Sequence, residues 1–183
     1  MARNAQIVVV CEDVLQETFV RAFLTELGFH RRKLTFCKPS ASQGDAKQYV
    51  STETCRQLQA LRRFPGQRRA LVYITDADSA SVEGRRAAVE RACLDSGVDP
   101  SRPDEPVFAV IPKWEIENWL AYLNSQEEVD EQSNRYEKYR GRESDVYPLT
   151  KRLAEMCRQQ RLPNAPPSLA IACQEYARFR SWS

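Results

Sequence analysis

The sequence predicts an α/β protein: a mainly parallel four-stranded sheet flanked by helices, with a C-terminal helical cap. Three observations predict it. Short apolar runs alternate four times with helix-period segments, the order that builds a parallel sheet through crossover connections. The runs are apolar at consecutive positions, as in strands covered on both faces. Gly28, Pro65-Gly66 and Gly97 punctuate the segments where helices should stop.

The first run, Gln6 to Cys11, is β-branched throughout its centre (Ile7-Val-Val-Val) and reads as a buried parallel strand. From Val14 to Leu27, Leu15, Phe19, Ala22, Phe23 and Leu27 recur at helical spacing, and Gly28 follows as a stop. Lys33 to Cys37 is a short second strand, and the break from Pro39 to Gly44 leads into a helix from about Asp45 to Arg63. Ala70 to Thr75 is the third strand, followed by a helix from Ser81 to Ser96 that ends at Gly97. Val107 to Ile111 is the fourth strand; Pro112 stops it, and Trp114 to Leu123 is helical. Gln126 to Arg142, rich in Glu, Gln, Asn and Arg, reads as a mobile loop or a solvated helix. Two more helices, about Val146 to Gln160 and Pro167 to Phe179, flank the break from Pro163 to Pro167. We therefore expect an α/β core over residues 1–124, with a loop and helical extension over 125–183 packed on the same domain.

With 183 residues, 42% hydrophobic and 28% charged, the chain has the composition of a water-soluble globular protein. Its longest apolar run, Ile7 to Cys11, is too short to cross a bilayer, and Met1-Ala-Arg-Asn leads into it without a secretory h-region. The expected setting is cytoplasmic, with no membrane contact. The six cysteines include no C-x-x-C pair and have one histidine to join them, which argues against zinc. They are expected to be reduced and to act as small buried hydrophobes. The net charge is only +2, but basic residues cluster at Arg31-Arg32-Lys33, Arg62-Arg63, Arg68-Arg69 and Lys138-Tyr-Arg-Gly-Arg142. Such clusters suit a phosphate-tracking surface, and they equally suit solvated helix ends.

Three of the strands run into acid. The first ends in Cys11-Glu12-Asp13, the third in Thr75-Asp76-Ala77-Asp78, and the fourth in Ile111-Pro-Lys-Trp-Glu-Ile-Glu117. Functional groups of open parallel sheets collect at these carboxyl ends. If the chain stays extended through Asp76-Ala-Asp78, the two aspartates share a face and could hold one cation. Oxygen donors without histidine or thiolate select Mg²⁺ or Mn²⁺. The alternative for Glu12 and Asp76 is that they cap the helices that follow. Glu17 reads as a solvated helix position and His30 as a surface residue, while Trp114 and Trp119 read as packing residues.

An apolar strand ending in Glu, then a helix, then an apolar strand ending in D-x-D, resembles the TOPRIM domain. That Rossmann-like domain occurs in bacterial primases, topoisomerases and the overcoming-lysogenization-defect nucleases. Ile7 to Phe19 resembles its first motif and Leu71 to Ser79 its second; Ile111-Pro-Lys-Trp-Glu-Ile-Glu-Asn-Trp-Leu120 is similar to a segment of small stand-alone TOPRIM-like proteins of phage-defence loci. The resemblance covers roughly residues 6–124. It implies that Glu12 faces the metal or transfers a proton, that Asp76 and Asp78 bind Mg²⁺ or Mn²⁺, and that Glu117 adds an acidic ligand or a polar support. By the same resemblance Lys113 is a phosphate contact or proton donor, or else a solvated lysine. Asp13 departs from the pattern, because glycine usually follows the first glutamate.

The resemblance implies a metal-dependent nuclease acting on DNA or RNA in bacterial anti-phage defence. Its alternative is a catalytically weak TOPRIM module that serves as sensor or subunit of an ATPase partner or another defence protein; with either, an oligomer is open. A primase-like activity would need a nucleotide-binding neighbour not evident in this length. Nucleic acid is expected to approach across the carboxyl edge of the sheet, flanked by the Arg31–Lys33 turn or by Lys138, Arg140 and Arg142.

Overall fold

A computed structural model describes residues 5–40, 44–125, 127–133 and 141–182. Four strands, β1 (Gln6–Val10), β2 (Leu34–Cys37), β3 (Arg69–Ile74) and β4 (Val107–Val110), form one sheet in the order β2-β1-β3-β4. Every pairing is parallel, with Val8 opposite Thr35 on one side and Leu71 on the other, and Val72 opposite Phe108. Among the described residues, six α-helices surround it: α1 (Val14–Glu26), α2 (Ala46–Arg63), α3 (Val82–Asp95), α4 (Ile116–Ser125), α5 (Val146–Gln159) and α6 (Pro167–Trp182). The architecture is the parallel α/β sheet that the sequence predicts.

The consecutive apolar residues of each strand divide between two cores because alternate side chains point to opposite faces. Ile7, Val9, Ala70, Val72, Ile74 and Phe108 meet Phe19 and Val20 of α1, Trp119 and Leu123 of α4, Leu153 of α5, and Leu169 and Phe179 of α6. Val8, Val10, Leu71, Tyr73, Val107 and Ala109 meet Val50 and Leu58 of α2 and Val82 and Val89 of α3. The C-terminal helices thus share a core with β1 and α1. Helices α1 and α3 both end in Schellman turns, with Phe29 N–H donating to Leu24 C=O and Val98 N–H to Cys93 C=O. Gly28 and Gly97 take the left-handed conformation those turns require, at φ +92° and +71°.

Two expectations need correction. The α4 helix begins at Ile116, two residues later than Trp114, because the chain turns after Pro112 before the helix starts. The cysteines are not all reduced: Cys55 pairs with Cys93 and Cys157 with Cys173, while Cys11 and Cys37 stay free. The first disulfide ties α2 to α3 on one face of the sheet and the second ties α5 to α6 on the other. Scattered spacing hid both, since pairing depends on which helices the fold brings side by side. Burial pushes the Cys11 thiol up to about 12, with nearby acids adding to the shift, which leaves it an inert core group. Among the described residues, no helix is long and apolar enough to cross a membrane.

Candidate functional site

The strand order puts β1 and β3 side by side at the centre of the sheet, while the chain leaves β1 for β2 on one side and β3 for β4 on the other. This reversal makes the carboxyl ends of the two strands the topological switch point, where open parallel sheets gather functional groups. Glu12 follows β1 there and Asp76 follows β3. They meet directly: Glu12 Oε1 accepts the Asp76 backbone N–H at 2.9 Å and the Thr75 hydroxyl at 2.5 Å. The Glu12 N–H in turn donates to Oε1 of Gln16, which is fully buried in the first turn of α1.

Neither acid is a helix cap. Asp13 caps α1, accepting the Gln16 N–H at 2.8 Å, and Ser81 caps α3, accepting the Gly84 N–H at 2.9 Å. Asp13 therefore has a local task of its own, and the first turn of α1 holds Glu12 in place from behind. Burial raises the pKa of Glu12, opposed by the hydrogen bonds from Thr75 and Asp76 and by the field of Lys47. Asp76 is raised much further, to about 9, by burial first and then by the fields of Glu12, Asp13, Glu117 and Asp78. Its Oδ1 is buried without a hydrogen-bond partner among the described residues.

The D-x-D segment does not stay extended. Ala77 N–H is fixed to Pro112 C=O at 2.8 Å, and Asp78 then turns into the left-handed region at φ +51°. The chain therefore does not stay extended through Asp78, which was the condition for a shared face, although the Asp78 charge still acts on Asp76. Asp78 instead pairs with Lys47 in the first turn of α2. Burial alone would lower the Lys47 pKa, but the bond to Asp78 and the fields of Glu12 and Asp78 outweigh it and raise it.

Lys113 lies at the same edge in a different role from the expected phosphate contact. Its ammonium donates to the carbonyls of Asp78 at 2.7 Å and Ala80 at 2.8 Å, and sits 4.1 Å from the centre of the Trp114 ring. It braces the turn that carries Asp78. Glu117, in the first turn of α4, is close enough for its charge to raise Asp76. Behind it, Trp119 is buried and donates its Nε1–H to Ser168 Oγ at 2.7 Å. Glu17 is held in ion pairs with Arg21 and Lys38, and His30 Nδ1 caps the 3-10 turn Arg31–Lys33.

No family model, curated protein or solved structure matches this chain. The likeness to TOPRIM is thus a resemblance of motifs, and the geometry must be weighed without it.

Among the described residues, no group of three acidic, histidine or cysteine side chains is gathered to hold an ion. Magnesium does not demand one, because it commonly uses one or two carboxylates and completes its shell with water and substrate phosphate. Glu12 and Asp76 fit that requirement, with hard oxygen donors, an unpartnered buried carboxylate oxygen, and surrounding acids whose repulsion a cation would relieve. The expected basic flank is another matter. Arg31–Lys33 precedes β2 and so lies at the amino edge of the sheet, remote from the acids, with Arg31 donating to the Tyr147 hydroxyl. Lys138 and Arg140 lie outside the described residues, and the Arg142 N–H bonds Asp145. The residues that motif reading missed are Thr75, Gln16 and Lys47. A Thr directly before the D-x-D was a usable signal for the first, whereas Lys47 enters only through the placement of α2.

Proposed function

We propose that this chain is a metal-dependent phosphodiesterase acting on nucleic acid, with Asp76 and Glu12 holding Mg²⁺ or Mn²⁺ at the switch point. The observation that carries the reading is the buried, unpartnered Asp76 Oδ1 beside Glu12, in the field of three further acids. An apolar sheet end does not keep such a group unless something compensates it. When bound, the metal supplies electrostatic stabilisation of the charge that develops on a phosphoryl group. Thr75 and the Asp76 N–H orient Glu12, Gln16 fixes its backbone, and Lys113 holds the turn that presents Asp78. A role in anti-phage defence belongs to this proposal on the sequence resemblance, and a cytoplasmic setting on the short apolar runs of the sequence. In a reducing cytoplasm the cysteine pairs 55–93 and 157–173 would be dithiols.

A second reading has its own support. Asp78 is engaged by Lys47, which favours a catalytically weak module that serves as sensor or subunit for an ATPase partner. One experiment separates the two. Purified protein is incubated with plasmid, single-stranded DNA and tRNA in Mg²⁺, in Mn²⁺ and in chelator, alongside Asp76→Asn. Metal-dependent cleavage that Asp76→Asn abolishes supports the nuclease; no cleavage of any substrate, with metal-induced thermal stabilisation retained, supports the module.

A further inference from the structure

Several arginine clusters lie at the end of the sheet opposite Glu12 and Asp76. Arg62-Arg63 ends α2, Arg68-Arg69 opens β3, and the loop before β4 carries Arg102, so these clusters gather at the amino edge of the sheet. Six residues of β3 separate that edge from Asp76, a span of ~20 Å at the usual rise of a strand. Between the end of α2, the 65–68 turn, the 102–106 loop and Trp182 at the end of α6 lies an open groove of about 590 Å³.

The groove is a constructed feature. Arg62 spends its guanidinium on structure, bonding both Glu105 oxygens at 2.7 and 2.9 Å and the carbonyls of Asp99 and Pro100 at 2.8 and 2.9 Å, which pins the loop to α2. Glu105, buried, also accepts from Arg102, and Asp104 lies 3.8 Å from Arg102. The groove is lined by four arginines, Arg62, Arg68, Arg69 and Arg102, against two acids, Asp104 and Glu105, so its formal charge is positive. Phe64 stands on its rim 51% exposed, outside both apolar cores. Trp182 stacks on Phe179, with ring centres 5.9 Å apart, and closes the far end.

We propose that this amino-edge groove binds single-stranded nucleic acid, with Phe64 stacking on a base and Arg69 on the phosphates. Guanidinium groups match phosphate oxygens in bidentate fashion, and an exposed ring among them offers the base face a partner that acidic polypeptide does not need. A duplex keeps its base faces stacked and could use only the charges. This site is separate from the acidic one and does not depend on the metal reading.

The test is fluorescence anisotropy with a fluorescein-labelled oligothymidylate in chelator at low salt, so that metal-centred binding is silent. Wild-type protein and Asp76→Asn should bind alike. Phe64→Ala should weaken binding by about fivefold or more, and Arg69→Glu should weaken it comparably and flatten its salt dependence. Both should keep the wild-type melting temperature and metal-induced thermal shift. No wild-type binding, or unchanged binding by both variants, overturns the proposal. So does polyglutamate displacing the oligonucleotide at equal charge concentration, which would mark a general polyanion site. Cleavage assays are unaffected by these outcomes, so a failed groove and a failed nuclease are told apart.

Discussion

The backbone N–H of Asp76 donates to Glu12 Oε1 at 2.9 Å, joining two residues 64 positions apart at the carboxyl ends of adjacent strands. The same oxygen takes the Thr75 hydroxyl, so one carboxylate satisfies two donors that burial would otherwise strand. Glu12→Ala should therefore destabilise the metal-free protein by about 1–3 kcal/mol, the cost of orphaned buried donors. Glu12→Gln retains an acceptor and should lose less. Urea titration measures both; equal stability of Glu12→Ala and wild type would remove Glu12 from this role.

Asp76 sets the pH dependence. Its pKa is about 9 in the fold against 3.8 for an ordinary aspartate, because burial and four neighbouring acids oppose its charge. A raised acid holds its proton more tightly folded than unfolded. Its contribution to stability is complete below the unfolded value and is lost as pH rises through the folded one. Metal-free protein should lose stability across that window, and Asp76→Asn should lose less of it. Metal must displace the proton, so the Mg²⁺-induced thermal shift of wild type should grow from about pH 6 to about pH 9.

Lys47 competes with any cation for Asp78. Lys47→Met should leave the fold intact and increase the thermal shift produced by Mg²⁺ or Mn²⁺, since one more carboxylate becomes available. A smaller shift would mean that Lys47 helps assemble the site rather than guarding it.

Removing the brace should have a different signature. Lys113→Met orphans the carbonyls of Asp78 and Ala80, and should cost about 1–3 kcal/mol in urea titration. Deuterium exchange should rise in the turn following Asp76, while the exchange of β1 stays as it was.

With both pairs oxidised, thiol titration of the denatured, non-reduced protein should find two reactive groups, Cys11 and Cys37, out of six. The disulfides close separations of 38 and 16 residues, and reducing each should cost about 3 kcal/mol within the wide range such cross-links show.

The strands and the placement of Glu12 and Asp76 were legible because consecutive β-branched residues admit few other uses, and because a strand's carboxyl end follows from its direction. The geometry of Asp78 was not, since a left-handed turn at an aspartate leaves no mark in a D-x-D spacing. Lys47 and the disulfides depend on which helices become neighbours, information carried by the whole fold and by no local pattern. The basic clusters misled for a related reason: residues just before a strand must lie at its amino end, so Arg31–Lys33 was never able to flank acids that follow strands.

The central pairing of β1 with β3 has a further consequence for how the protein comes into being. A nascent chain that has emerged only through β2 carries Glu12 but no Thr75 or Asp76 to meet it, and the β1–β3 register must wait until α1, β2 and α2 have been made and the crossover closed. Such non-local pairings form late and slowly. The Glu12–Asp76 contact is thus absent from every shorter intermediate, and a chain stalled before Ile74 carries no assembled centre.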